Sequence, residues 1–161
     1  MFIQYCMFIK IGGIFHPVRL FHTVLLFDTV EYKTIEHFLK QGMTVYQYIL
    51  SYQGKFSFSQ FVGIEPLGVC HIDDLFYLWN PVLGKDLMLP DNDKSIRDLM
   101  TSAWTNFAMI GDPTPPDSGL SWVPNEYGKD YVYWNISSSL PVMEKSQKIQ
   151  ERMDLWDKVM N

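Results

Sequence analysis

The residues with the densest chemical potential are Gly68-Val69-Cys70-His71-Ile72-Asp73-Asp74-Leu75, a histidine on a tight loop followed at once by two acids and an apolar run. A loop histidine beside a helix start can hold its imidazole rigidly and titrate near neutral pH, which general-base work requires. The plainer alternative is a half-buried histidine with a structural role, with Asp73 or Asp74 as the helix N-cap. A metal centre needs a third or fourth ligand, and no residue supplies one at a recognisable spacing. Cys70 is a poor partner for His71, because neighbouring side chains point apart, and reads as a buried, inert thiol. A base also needs a nucleophile. The chain has no Gly-x-Ser-x-Gly elbow, the strained strand-to-helix turn that presents a serine. Its nearest approach, Gly119-Leu120-Ser121-Trp122-Val123, lacks the second glycine, has no strong strand before it and runs into Pro124. No His-Gly-Gly oxyanion loop is present, and Gly12-Gly13 is not followed by the Lys-Ser or Lys-Thr of a phosphate loop, so no cofactor is indicated.

The frame that must position His71 has the size of one domain: 161 residues, against a usual ~100–200 per domain. With 47% apolar and 19% charged residues the chain can bury a core, which excludes a disordered tail. Thirteen Lys and Arg against 18 Asp and Glu give a net charge of -5, which argues against nucleic acid or anionic lipid as partners. Two cysteines, Cys6 and Cys70, make neither a disulfide framework nor a zinc site. Residues 1–27 stand apart: they are apolar, without acids, and carry Lys10 and Arg19 as their only Lys or Arg. Lys10, His16, Pro17, Arg19 and His22 interrupt them too often for a membrane span, and a signal peptide would need a basic start and a small-residue cleavage site. This segment stays unassigned.

Downstream, Asp28 and Glu31 have capping-box spacing, and Tyr32, Ile35 and Leu39 follow at helical spacing up to Gly42, predicting a helix over about 29–41. Met43 to Tyr52 loads both faces of a strand, as in a sheet covered on both sides, and Gly54 ends it. Phe56, Phe58 and Phe61 fall in a segment that reads as loop or helix, and Gly63, Pro66 and Gly68 then punctuate the approach to His71. After Asp91, Asn92 and Asp93, the residues Ile96, Leu99, Met100, Ala103, Trp104, Phe107 and Ala108 form one helical stripe that Gly111-Asp112-Pro113 stops. Residues 112–119 read as a semi-rigid exposed turn and Tyr131 to Ile136 as a short strand. A last helix is expected over about 144–160, with Ile149, Met153, Trp156 and Met160 on its core face.

Gly68 to Trp79 resembles the histidine loop of the type-B carboxylesterases, the cholinesterase-like branch of the α/β-hydrolases. Other landmarks follow in that family's order: Trp104-Thr105-Asn106-Phe107-Ala108, Gly111-Asp112-Pro113-Thr114-Pro115, Trp122-Val123-Pro124 and Glu151-Arg152-Met153-Asp154-Leu155-Trp156. Upstream, Val45-Tyr46-Gln47-Tyr48 and Ser51-Tyr52-Gln53-Gly54 fit the strand and turn that precede the loop. The resemblance covers about residues 28–161, and the Cys before the histidine is most similar to the invertebrate general, detoxification and hormone esterases. It implies an α/β fold, the C-terminal part of an α/β-hydrolase with an incomplete sheet and flanking helices.

By the same resemblance, His71 corresponds to the triad histidine, which takes the proton of a nucleophilic serine and returns one to the leaving alcohol. Asp74 falls where the family has an acid in the buried network behind the active site, and Asp73 where a helix-start or surface residue is expected. Serine, orienting acid and oxyanion glycines precede this region in the family and have no counterpart in the sequence. The sequence departs from the family pattern twice: Ile72 replaces a small residue directly beside the base, and Trp79 replaces a Phe, a milder change on an apolar face. Asn135-Ile136-Ser137 is an N-glycosylation sequon, which fits a secreted or secretory-lumen parent.

The expectation is therefore a C-terminal fragment of a carboxylic-ester hydrolase, inactive alone, whose full-length parent takes small-molecule esters. The alternatives are a non-catalytic interaction protein with the same fold, which has no need of a base, and an unrelated small domain in which His71 with Asp73 or Asp74 binds a metal. A central parallel strand without its neighbours would leave open edges and an uncovered apolar face, so poor solubility or a molten state is expected.

Overall fold

The computed structural model describes residues 2–5, 29–61, 63, 68–79 and 88–146, together with positions 151, 154 and 158. Helix α1 (Thr29–Lys40) opens the described core. Its Ile35 and Leu39 lie on one face and bury against Val45 and Tyr131, with Tyr32 and Phe38 at the margin. The helix stops at Gly42, whose φ of 74° is the left-handed conformation that glycine adopts without strain. Asp28, the other half of the expected capping box, lies outside the described residues. Glu31 is buried, and its carboxylate accepts a bond from Gln47 Nε2 at 3.1 Å, so this acid anchors the helix to the sheet.

Strand β2 (Tyr46–Leu50) runs parallel to β1 (Phe2–Tyr5) on one side and to β3 (Val132–Ile136) on the other. Strand β4 (Val142–Lys145) pairs antiparallel with β3, giving the order β1-β2-β3-β4. The central strand is thus paired along both edges, one of them by four residues of the segment that the sequence left unassigned. The open edge expected at this strand is filled.

Alternation then divides the side chains of β2 and β3 between two faces. Val45 and Gln47 meet α1, whereas Tyr46, Tyr48, Leu50, Trp134 and Ile136 meet α4 (Asp91–Ile110) in the main core. Aromatic rings dominate that second face. Trp122 stacks on Trp134 at 4.6 Å and 19°, its Nε1 donates to the Gln47 carbonyl at 3.0 Å, and Trp104 meets Tyr48 edge-on at 4.8 Å. Each such buried side chain contributes roughly 1.5–3 kcal/mol of transfer free energy.

Helix α4 buries Asp93, Ile96, Met100 and Ala103 and ends at Gly111, whose φ is 77° and whose N–H donates to the Phe107 carbonyl at 2.8 Å. Ala108 departs from the expected stripe and is exposed, because it lies about 100° round the helix from the centre of the buried face. The 112–119 segment holds a 3₁₀ turn at Pro116–Ser118, but Pro113 is fully buried and pins it. The largest departure is at the C-terminal end. Glu144 and Lys145, expected to begin the last helix, are extended at the end of β4, because pairing with β3 satisfies their backbone and lets Glu144 reach Tyr133 and Asn135. Glu151, Asp154 and Lys158 are helical and exposed, while Ile149, Met153, Trp156 and Met160 lie outside the described residues.

Candidate active site

Chain leaving the carboxyl end of β2 builds the site. The N–H groups of Ser51 and Tyr52 both donate to the Ile136 carbonyl, at 3.0 and 2.9 Å. The chain then passes so close to Tyr77 and Asp93 that a Cβ on Gly54 would collide with Tyr77 Oη and stand 2.9 Å from Asp93 Oδ2. Asp93, expected as an N-cap candidate of α4, is buried instead and accepts from Tyr52 Oη at 2.8 Å and from the Lys55 N–H at 2.9 Å. Burial, then this bond and the Asp93 charge, push the Tyr52 hydroxyl up to about 12. Two short helices follow, α2 (Phe58–Phe61) and α3 (Leu75–Leu78), and the histidine loop lies between them.

His71 is exposed on that loop. The Asp73 N–H donates to the Cys70 carbonyl at 3.1 Å, closing a four-residue turn with His71 and Ile72 at its centre. Ile72 has a φ of 72° and is the only non-glycine with positive φ among the described residues, so the turn has the type II pattern of negative then positive φ. The position where the sequence shows Ile in place of a small residue is therefore one that favours glycine on conformational grounds.

Two adjacent carboxylates lie behind the turn, both buried. Asp73 Oδ1 accepts from the Phe58 N–H at 2.7 Å and from Ser57 Oγ at 3.1 Å, and Oδ2 accepts from the Cys70 N–H at 2.8 Å. This corrects the expectation of a helix-start or surface residue: a carboxylate with three donors inside the protein is more fully satisfied there than at the rim. Burial pushes the Asp73 carboxyl above its ordinary value, against the pull of those three bonds. Asp74 stands at the N-cap position of α3 but makes no capping bond, and its Oδ2 accepts from Tyr48 Oη at 3.0 Å. It joins the start of α3 to the central strand. Burial and the Asp73 charge push the Cys70 thiol up, which disfavours the reactive thiolate.

The other flagged residues lie elsewhere. Ser121 is exposed in the loop before Trp122, Trp79 is exposed after α3, and no three potential metal ligands converge among the described residues. Asn135 sits on β3, where its Nδ2 donates to Glu144 Oε1 at 2.7 Å and its Oδ1 accepts from Ser51 Oγ. Sequence reasoning missed the clasp of Asp73 on Ser57 and Phe58, and also Tyr48 as the partner of Asp74. Neither had a local signal, since the partners are 15, 16 and 26 residues away.

What this arrangement can do is present an imidazole to solvent from a held turn, on the chain that leaves the carboxyl end of a parallel strand. That is the end at which open α/β sheets bind their ligands. No helix among the described residues is long and apolar enough to cross a membrane.

Comparison with known proteins gives the chain its relatives. Residues 18–156 match the family model described as the carboxylesterase family. A juvenile hormone esterase from Tribolium castaneum is 35% identical over 99 residues, which is 56% of this chain and 16% of that protein. Among solved structures, the juvenile hormone esterase of Manduca sexta superposes with a TM-score of 0.74 at 20% identity, covering 95% of this chain and 30% of that one. A carboxylesterase of Geobacillus stearothermophilus gives 0.61 at 16% identity, over 89% of this chain and 29% of its own. The chain thus spans less than a third of the relatives it matches, and its strands and helices are part of an α/β-hydrolase fold. On the extent of the family match, the chain belongs to the carboxylesterase family.

Proposed function

We propose that this chain is the histidine-bearing C-terminal portion of a carboxylic-ester hydrolase, with His71 as its general base and acid. The observation that carries the reading is the exposed imidazole on a turn backed by two buried carboxylates, within residues that match a family of ester hydrolases. In the proposed reaction His71 takes the proton of a serine hydroxyl as it attacks the ester carbonyl, then returns it to the departing alcohol. Serine, orienting acid and oxyanion donors come from the part of the parent that precedes this region, and small-molecule carboxylic esters are the proposed substrates. No metal or organic cofactor is invoked.

Alone, the chain holds a base without a nucleophile. Incubation with a serine-directed fluorophosphonate is expected to leave its intact mass unchanged, with no hydrolysis of a p-nitrophenyl ester above buffer. A stoichiometric phosphonyl adduct on the isolated chain would overturn the reading.

In a secreted parent, Asn135 is the proposed glycan acceptor. Because its Nδ2 is held by Glu144 in the folded strand, transfer must precede pairing of β3 with β4. A mass shift on treatment with an N-glycosidase tests this in the secreted protein.

A further inference from the structure

We propose that Asp73, rather than its neighbour Asp74, is the positioning residue for the His71 imidazole, and this proposal rests on the reading of His71 as the base. The two carboxylates point into different structures. The bond from Tyr48 Oη to Asp74 fixes the start of α3 to β2, and so concerns the frame. All three bonds to Asp73 concern the loop. One comes from the N–H of Cys70, the residue immediately before His71, and two come from Ser57 and Phe58, on the chain that runs into α2. The carboxylate spans the turn from beneath and ties both sides of the imidazole's backbone to a neighbouring segment.

The turn needs such a hold. Ile72, at φ 72°, is a β-branched residue in a region where its Cβ crowds the following carbonyl, so the backbone alone disfavours this conformation. Strain of this kind persists where surrounding contacts over-determine it. Bonds of 2.7 and 2.8 Å from backbone N–H groups to a carboxylate are charge-assisted and short enough to do so. The backbone bond from Asp73 N–H to the Cys70 carbonyl closes the turn, while the Asp73 side chain fixes it in place.

The test uses the full chain with histidines labelled at Cε1, the His71 resonance being assigned by His71→Gln, and needs no catalytic activity. In the unsubstituted chain that resonance is expected away from the free-histidine position, with rigid amides at 70–72. Asp73→Asn, which sets an NH₂ against the Cys70 N–H in place of one acceptor, and Asp73→Ala are expected to move it to the free position and loosen those amides. The near-UV band of the tryptophans should stay unchanged. Asp74→Asn is expected to lower the melting temperature and leave the His71 resonance in place. If Asp73→Ala loses the tryptophan band, Ser57→Ala removes one of the three donors and should produce a smaller shift in the same direction. The proposal is overturned by an unchanged resonance in the Asp73 and Ser57 variants, by an equal shift in Asp74→Asn, or by a free-histidine resonance in the unsubstituted chain. Failure of the functional reading, in which the nucleophilic serine lies outside this chain, would show instead as a phosphonate adduct, so the two failures are separable.

Discussion

The aromatic face between the sheet and α4 and the histidine loop beside it are held by opposite means. Trp134, Trp122, Trp104, Tyr46 and Tyr48 bury their rings against one another and against Met100 and Ala103, and geometry follows from packing. In the loop, His71 is exposed and Ile72 adopts a disfavoured backbone, and three bonds to one buried carboxylate hold the turn. Packing tolerates substitution gradually, because many small contacts share the energy. A polar clasp does not, because each buried donor left unpaired costs its full desolvation.

That contrast can be broken first on the packed side. Trp134→Ala removes the stacked ring at the centre of the sheet and should cost about 3–5 kcal/mol in urea unfolding; a loss under about 1 kcal/mol would show that the stack does not organise the core. At the seam between the regions, Gly54→Ala drives a methyl into Tyr77 Oη and Asp93, and should cost about 1–3 kcal/mol. On the loop side the ordinary ranking of Ala over Gly should reverse. Ile72→Gly and Ile72→Ala remove much the same apolar surface, yet the alanine keeps a Cβ in the left-handed region. The glycine variant should be the more stable by about 1 kcal/mol, read from paired melting curves, and the usual order would mean that the turn is not strained.

The smallest effect concerns pH. Bonds from Tyr133 Oη and Asn135 Nδ2 hold the Glu144 carboxyl below its ordinary value. Its contribution is therefore present above the unfolded glutamate value and is lost as pH falls through the lower folded one. Melting temperatures between about pH 6 and pH 3 should fall less steeply in Glu144→Gln than in the parent chain. Parallel curves would remove Glu144 from the account.

The same contrast explains what the sequence made legible. The α1 face, the doubly loaded β2 and the α4 stripe are local periodicities of apolar residues, and the structure repeats them with small trims at the ends. Where local pattern and tertiary pairing compete, pairing wins. Glu144 and Lys145 belong to the charge balance of the expected last helix, but they lie beside β3 and become the end of β4. In the site, the histidine was legible from its loop and from the family resemblance, and the depth of its neighbours was not. An acid after a loop histidine has the same letter whether it faces solvent or takes three donors, and the residues that decide for Asp73, Ser57 and Phe58, lie in a segment whose own pattern was ambiguous.

The central claim, that His71 serves a serine supplied by a preceding part of the same hydrolase, is tested most directly by sequencing the mature transcript upstream of the Met1 codon. The account predicts an open reading frame continuous with this chain and containing Gly-x-Ser-x-Gly. An in-frame stop codon directly upstream of Met1 would contradict it.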